Sequence, residues 1–196
     1  MTRRSVLAFA VGLALAVALG WLGLPPLLYA RVAQPLRFSH KTHTSDKTGY
    51  ACKDCHALGA DGRFAGIPRT ETCAGCHAEP QGKSDDEKRL VEQYVKPNRE
   101  IPWLVYARQP DNVHFPHAPH VARAGIACER CHGPHGASDT LRPYELNRIS
   151  GYSRDIWGPS LSRLRRQAWQ GMKMSDCEAC HAERGRAHTA CLSCHK

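Results

Sequence analysis

The cysteines of this chain fall in five C-x-x-C-H motifs. They are C-K-D-C-H at Cys52, Cys55 and His56, C-A-G-C-H at Cys73, Cys76 and His77, and C-E-R-C-H at Cys128, Cys131 and His132. C-E-A-C-H follows at Cys177, Cys180 and His181, and C-L-S-C-H at Cys191, Cys194 and His195. The chain has 10 cysteines in all, so none is left for a disulfide or a catalytic thiol. The two thiols of such a motif can add to the two vinyl groups of one haem, and the histidine behind them is then placed under the macrocycle, where it can bind iron. A zinc site would pair C-x-x-C units with no fixed histidine after each. A redox dithiol would normally occur once, beside a βαβ pattern. Five motifs, each with its histidine, point to five covalently bound c-type haems.

The remaining histidines are His40, His43, His114, His117, His120, His135 and His188. Four of them form a repeat. F-S-H-K-T-H at Phe38, His40 and His43 precedes the first motif, and F-P-H-A-P-H at Phe115, His117 and His120 precedes the third. Each unit reads F-x-H-x-x-H, an internal repeat with one copy in each half of the chain. The aromatic ring can pack on a porphyrin, and histidines three apart can reach two different irons. His40, His43, His117 and His120 are therefore expected as distal ligands opposite the motif histidines. For the fifth iron the expected ligand is His188, three residues before Cys191, with His135 in reserve. His114 abuts Phe115, and Met174 lies three residues before Cys177. A thioether on one iron would raise its potential relative to two imidazoles; Met172 and Met174 can equally pack against a macrocycle.

An iron with two protein ligands passes electrons but cannot take a substrate without losing one. The ligand supply therefore favours a row of electron-carrying haems over a multihaem reductase with an open iron, and the chain is not expected to be catalytic alone.

The elements that hold these sites are few. Arg3 and Arg4 come first, and no charged residue follows from Ser5 to Ala30. That run exceeds the apolar region of a secretory signal and suffices for a membrane-spanning helix. The arginines before it put the amino terminus in the cytoplasm. The competing reading is a signal cut after Ala30, where Leu28 occupies a position that prefers a small residue. The expected organisation is a membrane anchor over residues 1–33 and a pentahaem cytochrome c domain over 34–196, lying outside the cytoplasmic membrane in the periplasm. The fold class expected is mostly α and loop, with little regular structure and the haems as the core. So short a domain buries too little surface for an apolar core of its own, and 13 prolines with 16 glycines punctuate it.

Two long inserts separate the motifs. In the first, Ser84 to Glu87 matches a capping box ahead of KRLVEQYVK, stopped by Pro97. Leu90, Val91, Tyr94 and Val95 would share a face, which packs on the haem domain or docks a partner. The second, LRPYELNRISGYSRDIWGPSLSRLRRQAW, is rich in aromatics and arginines and suits a binding loop. Its Arg163, Arg165 and Arg166 could serve propionates. The formal charge is +9. Two propionates per haem and the ferric charge bring the loaded domain to roughly +4 oxidised and −1 reduced, which argues against nucleic-acid binding.

FSHKTH, CKDCH, GIPRTETCAGCH, IPWLVYARQPDNVHFPHAPH and CERCHG, in that order, resemble the membrane-anchored multihaem cytochrome c subunit of two related respiratory complexes. One is the menaquinone reductase complex of sulfate-reducing bacteria, the other alternative complex III. The F-x-H-x-x-H unit also resembles that of the tetrahaem cytochromes of sulfate reducers, where its two histidines serve different haems. IPWLVYARQP and GYSRDIWG are more similar to the menaquinone reductase version. The resemblance implies an electron-transfer subunit relaying electrons from a soluble periplasmic multihaem cytochrome c to quinone-reactive subunits. It also implies iron–sulfur, molybdopterin-oxidoreductase-like and quinone-binding membrane subunits as partners. A standalone membrane-tethered shuttle is the alternative.

Overall fold

An apolar helix leads the chain. In the computed structural model, which describes residues 2–62, 66–109, 111–153, 172–186 and 191–195, α1 runs over Arg3–Ala18. Thr2 caps it, its hydroxyl accepting the Ser5 N–H at 3.2 Å. A wide π turn at Leu19–Gly23 carries it into α2, Leu24–Leu28. Pro25 and Pro26 bring no N–H to the ladder, so the helix widens just before them. Arg3–Gly23 has a mean hydropathy of 2.3 over its most apolar stretch and is long and apolar enough to cross a membrane. Leu7, Phe9 and Leu22 are 66%, 67% and 77% exposed, so the described residues do not cover this helix. An apolar helix left so uncovered is consistent with membrane anchoring.

The chain then turns into β1, Tyr29–Val32, which pairs antiparallel with β2, Tyr144–Asn147. Arg31 stands opposite Glu145, and their side chains approach to 3.5 Å. This two-stranded sheet ties the end of the apolar helix to the second half of the chain. Its strands are short, which matches the expectation of little sheet.

Elsewhere the chain is short helices and loops. α3 (His40–Thr44) carries the first F-x-H-x-x-H unit; α4 (Cys52–Cys55), α5 (Thr70–Ala74), α7 (Glu129–His132) and α8 (Met174–Glu183) carry motifs one to four. A single turn at Cys191–Ser193 carries the fifth. Buried apolar side chains among the described residues are Leu36, Val91, Ile101 and Tyr144. Four such residues cannot hold a domain of this length together at the packing density of protein interiors.

The first insert forms the expected helix, α6 (Asp85–Leu90), continued by a π turn at Val91–Val95. Leu90, Tyr94 and Val95 are half-buried and Val91 is fully buried, with the π turn packed against α5. The apolar face is thus turned onto the haem-motif domain. Ser84 accepts the Glu87 N–H at 3.1 Å, but the Glu87 carboxylate does not close the capping box. It turns instead to the N–H groups of Gln81 and Gly82, at 2.7 and 2.8 Å.

Long-range bonds dock the two halves. Lys41 N–H donates to Ser138 O at 3.0 Å and Thr44 Oγ1 to Gly136 O at 2.7 Å, joining the first F-x-H-x-x-H unit to the segment after motif three. Ala118 N–H donates to Gly62 O at 2.8 Å, joining the second unit to the loop between motifs one and two. Gly62 has φ +65°, and a Cβ there would meet Ala118 Cβ at 2.7 Å, so both the turn and the close approach require glycine.

Candidate haem sites

Each motif is one turn of helix, and the turn explains the spacing. The histidine N–H donates to the carbonyl of the first cysteine at His56 (2.8 Å), His77 (2.9 Å), His132 (3.0 Å) and His195 (2.9 Å). Residues i, i+3 and i+4 of a helix share a face. Both thiols and the imidazole of a C-x-x-C-H therefore project from the same side. None of the ten cysteines is paired in a disulfide. Burial above all pushes the thiols of Cys52, Cys55, Cys73, Cys131 and Cys177 up from their usual range. They are not the low-pKa thiolates of a dithiol catalyst. Among the described residues no three or more His, Cys, Asp or Glu side chains converge as a small metal-ion site would need.

The histidines come in pairs. Ring centres lie 6.5 Å apart for His40 and His56, 6.2 Å for His43 and His77, 6.3 Å for His117 and His132, and 6.1 Å for His120 and His181. A metal–imidazole bond of about 2 Å on either side, with about 1.1 Å from each nitrogen to its ring centre, puts two imidazoles on one iron roughly 6.2 Å apart. Four motif histidines thus each face a histidine of an F-x-H-x-x-H unit at the spacing that an intervening iron requires. The two histidines of each unit face different motifs.

The other ring nitrogens are occupied as ligation needs. Nδ1–H of His43 donates to Ser39 O at 2.8 Å, of His56 to Gly66 O at 2.8 Å, and of His120 to Pro116 O at 2.9 Å. A carbonyl can only accept, so the proton sits on Nδ1 and the Nε2 lone pair is left for a metal. His40 Nδ1 lies 3.4 Å from Ser138 Oγ, whose hydrogen is already given to His135 O at 2.7 Å, so His40 is the donor there too. Burial, then the neighbouring rings of His135, His56 and His43, lowers His40 to about 4. Burial first, and then neighbouring positive groups, also holds His132 and His135 below the usual histidine range. Neutral imidazoles are the form that binds metal.

The two F-x-H-x-x-H units repeat in three dimensions. Phe38 meets His40 edge-on at 4.9 Å and 88°, and stacks on His43 at 4.5 Å and 20°. Phe115 meets His117 edge-on at 5.1 Å and 88°, and lies over His120 at 4.4 Å and 30°. In each unit the aromatic ring sets the angle between two imidazoles that face different motifs.

Side-chain contacts join some of the motifs. Cys52 Sγ lies 4.0 Å from Glu129 Oε1, linking one to three, and Arg130 pairs with Glu183 at 3.5 Å, linking three to four.

The fifth motif is less complete. His188 lies outside the described residues, as do Arg163, Arg165 and Arg166. His135 sits beside His40, ring centres 6.2 Å apart and tilted 44°, rather than beside His195. The backbone at Val113 pairs with His195, and His114 N–H donates to Cys194 O at 2.6 Å, which brings His114 to motif five. Met174, at the start of α8, is 47% exposed. Sequence reasoning passed over Glu87, whose Oε1 lies 3.0 Å from His77 Nδ1, though off the hydrogen-bond direction. Its position in S-x-x-E drew it into a capping box. The signal that could have found it is a carboxylate in a helix that one of the two readings packs on the haem domain.

The class III cytochrome c family matches residues 27–101, which hold the first F-x-H-x-x-H unit and motifs one and two. A protein of Nitratidesulfovibrio vulgaris described as "Menaquinone reductase, multiheme cytochrome c subunit" is 40% identical over 202 residues, covering 96% of this chain and 89% of its own. Covalently bound haem and electron transfer follow from that kinship. With an apolar helix of spanning length ahead of a mostly helix-and-loop cytochrome domain, this chain belongs to the family of the multihaem cytochrome c subunits of menaquinone reductase.

Proposed function

We propose that this chain carries five c-type haems in a row and relays single electrons between a soluble periplasmic cytochrome c and the quinone-reactive part of a membrane complex. The observation that carries the reading is the set of four histidine pairs at 6.1 to 6.5 Å, each uniting a motif with an F-x-H-x-x-H unit. In this reading Cys52, Cys55, His56 and His40 hold the first haem, and Cys73, Cys76, His77 and His43 the second. Cys128, Cys131, His132 and His117 hold the third, and Cys177, Cys180, His181 and His120 the fourth. Cys191, Cys194 and His195 hold the fifth, with His188 opposite. The bonding of His114 to Cys194 favours His114 as a second candidate for that place.

Each haem supplies an iron that cycles between ferric and ferrous states. The protein's part is to keep both axial positions filled, so that electrons pass and substrates do not bind. Phe38 and Phe115 fix the rings, and the Nδ1 donors fix the tautomers. The anchor, residues 1–33, holds the haem domain, residues 34–196, to the outer face of the cytoplasmic membrane. The kinship to a menaquinone reductase subunit supports menaquinone as the acceptor of the assembled complex. Iron–sulfur, molybdopterin-oxidoreductase-like and quinone-binding membrane subunits are its proposed companions.

A native gel of mildly solubilised membranes, stained for haem peroxidase activity, tests the assembly. The expected result is a haem band far larger than this 21.7 kDa chain, from which the companion subunits are identified. A haem band at monomer size with nothing co-migrating would leave a tethered shuttle instead. Mass measurement of the intact chain tests the haem number.

A further inference from the structure

The first insert places a carboxylate behind one of the proposed iron ligands. Glu87 Oε1 lies 3.0 Å from His77 Nδ1, and the side chains are only 14% and 20% exposed. The same oxygen accepts the Gln81 N–H at 2.7 Å, and Oε2 accepts the Gly82 N–H at 2.8 Å. The Ser84 cap and fully buried Val91 fix the helix that presents it. His43, His56 and His120 present Nδ1 to neutral backbone carbonyls, and His40 to a serine hydroxyl. At His77 the neighbour of Nδ1 is a carboxylate, off the hydrogen-bond direction.

We propose that Glu87 holds the motif-two haem at a lower potential than a carbonyl neighbour would, through the carboxylate it places 3.0 Å behind His77. The added negative charge, screened little in a half-buried site, favours the ferric state over the ferrous. The inference rests on His43 and His77 sharing an iron.

The test is a potentiometric titration of the haem-loaded chain, read in the visible bands and by ferric low-spin electron paramagnetic resonance. Glu87→Gln keeps an acceptor for Gln81 or Gly82 and removes the charge. One of the one-electron steps is expected to rise, its equilibrium constant for reduction increasing roughly tenfold, a positive shift of about 59 mV. One low-spin ferric signal should move with it. Glu87→Asp, which keeps the charge but withdraws it, should give a smaller rise; it also serves if the amide variant fails to load haem. Glu92→Gln, on the same helix and exposed, should leave every step in place. No shift in either Glu87 variant, or an equal shift from Glu92→Gln, would overturn the proposal. A high-spin motif-two haem in the unaltered chain would instead overturn the His43–His77 pairing on which it rests.

Discussion

Replacing His117 with alanine should open one iron and no other. Its ring stands 6.3 Å from that of His132 and within 6° of parallel, while its neighbour His120 faces His181 at 6.1 Å. Deleting the His117 imidazole empties one side of the His132 iron and leaves the His120 ligand on its own turn. The proposed thioethers of Cys128 and Cys131 would keep the haem attached, so haem content should stay unchanged. The chain loses an edge-on contact with Phe115. That contact is worth about 0.5–1.5 kcal/mol, small beside the roughly 5–15 kcal/mol that holds a domain folded. One haem in five should turn from low-spin to high-spin in the ferric state. The reduced variant should bind one more carbon monoxide per chain than the unaltered protein, read by difference spectroscopy. His117→Met should stay six-coordinate but raise the potential of one step, because a thioether favours ferrous iron. An unchanged spectrum with no carbon monoxide uptake would show that His117 is not a ligand. Two opened haems would show that the unit does not divide its histidines between irons.

The remaining predictions concern the frame. Thr70 is 4% exposed and its hydroxyl accepts the Ile101 N–H at 3.1 Å. Thr70→Val strands that N–H and should cost about 1–3 kcal/mol, seen as a lower melting temperature with haem content unchanged. Glu100 accepts the Thr70 N–H at 3.0 Å and pairs with Arg69 at 3.1 Å, which together hold its carboxyl below the usual range. A group with a depressed folded pKa binds fewer protons folded than unfolded. Its contribution is complete above the unfolded carboxylate value and disappears as pH falls through the lower folded one. Melting temperatures of Glu100→Gln and the unaltered protein should therefore differ at pH 7 and converge on acidification; a gap constant with pH would show that the charge is not what matters. Replacing residues 2–28 with a cleaved export signal, which keeps β1, should move the haem domain from membrane to soluble fraction with all its haems. Retention on washed membranes would show that other contacts anchor it.

Much of the haem chemistry was legible because it is local. A C-x-x-C-H closes within one helical turn, so its spacing alone places two thiols and an imidazole on one face. F-x-H-x-x-H is likewise a single turn, and its repetition at Phe38 and Phe115 announced that two more histidines per unit had work to do. Which histidine faces which motif was not legible, because that depends on how turns far apart in the chain dock. The Lys41–Ser138 and Ala118–Gly62 bonds do this docking, and neither leaves a sequence signature. The sheet was hidden for the same reason: Tyr29–Val32 reads as the tail of an apolar run until Tyr144–Asn147 arrives to pair with it. Glu87 is the instructive case. S-x-x-E is a pattern of the first helical turn, and Ser84 does cap α6. A local pattern says only what a side chain could do within its own turn. The N–H groups of Gln81 and Gly82 take the same carboxylate, which comes to lie 3.0 Å from His77 Nδ1, ten residues earlier. Two donors outbid the single N–H of a capping box, so a residue that looked like the start of a surface helix stands instead behind the histidine of motif two.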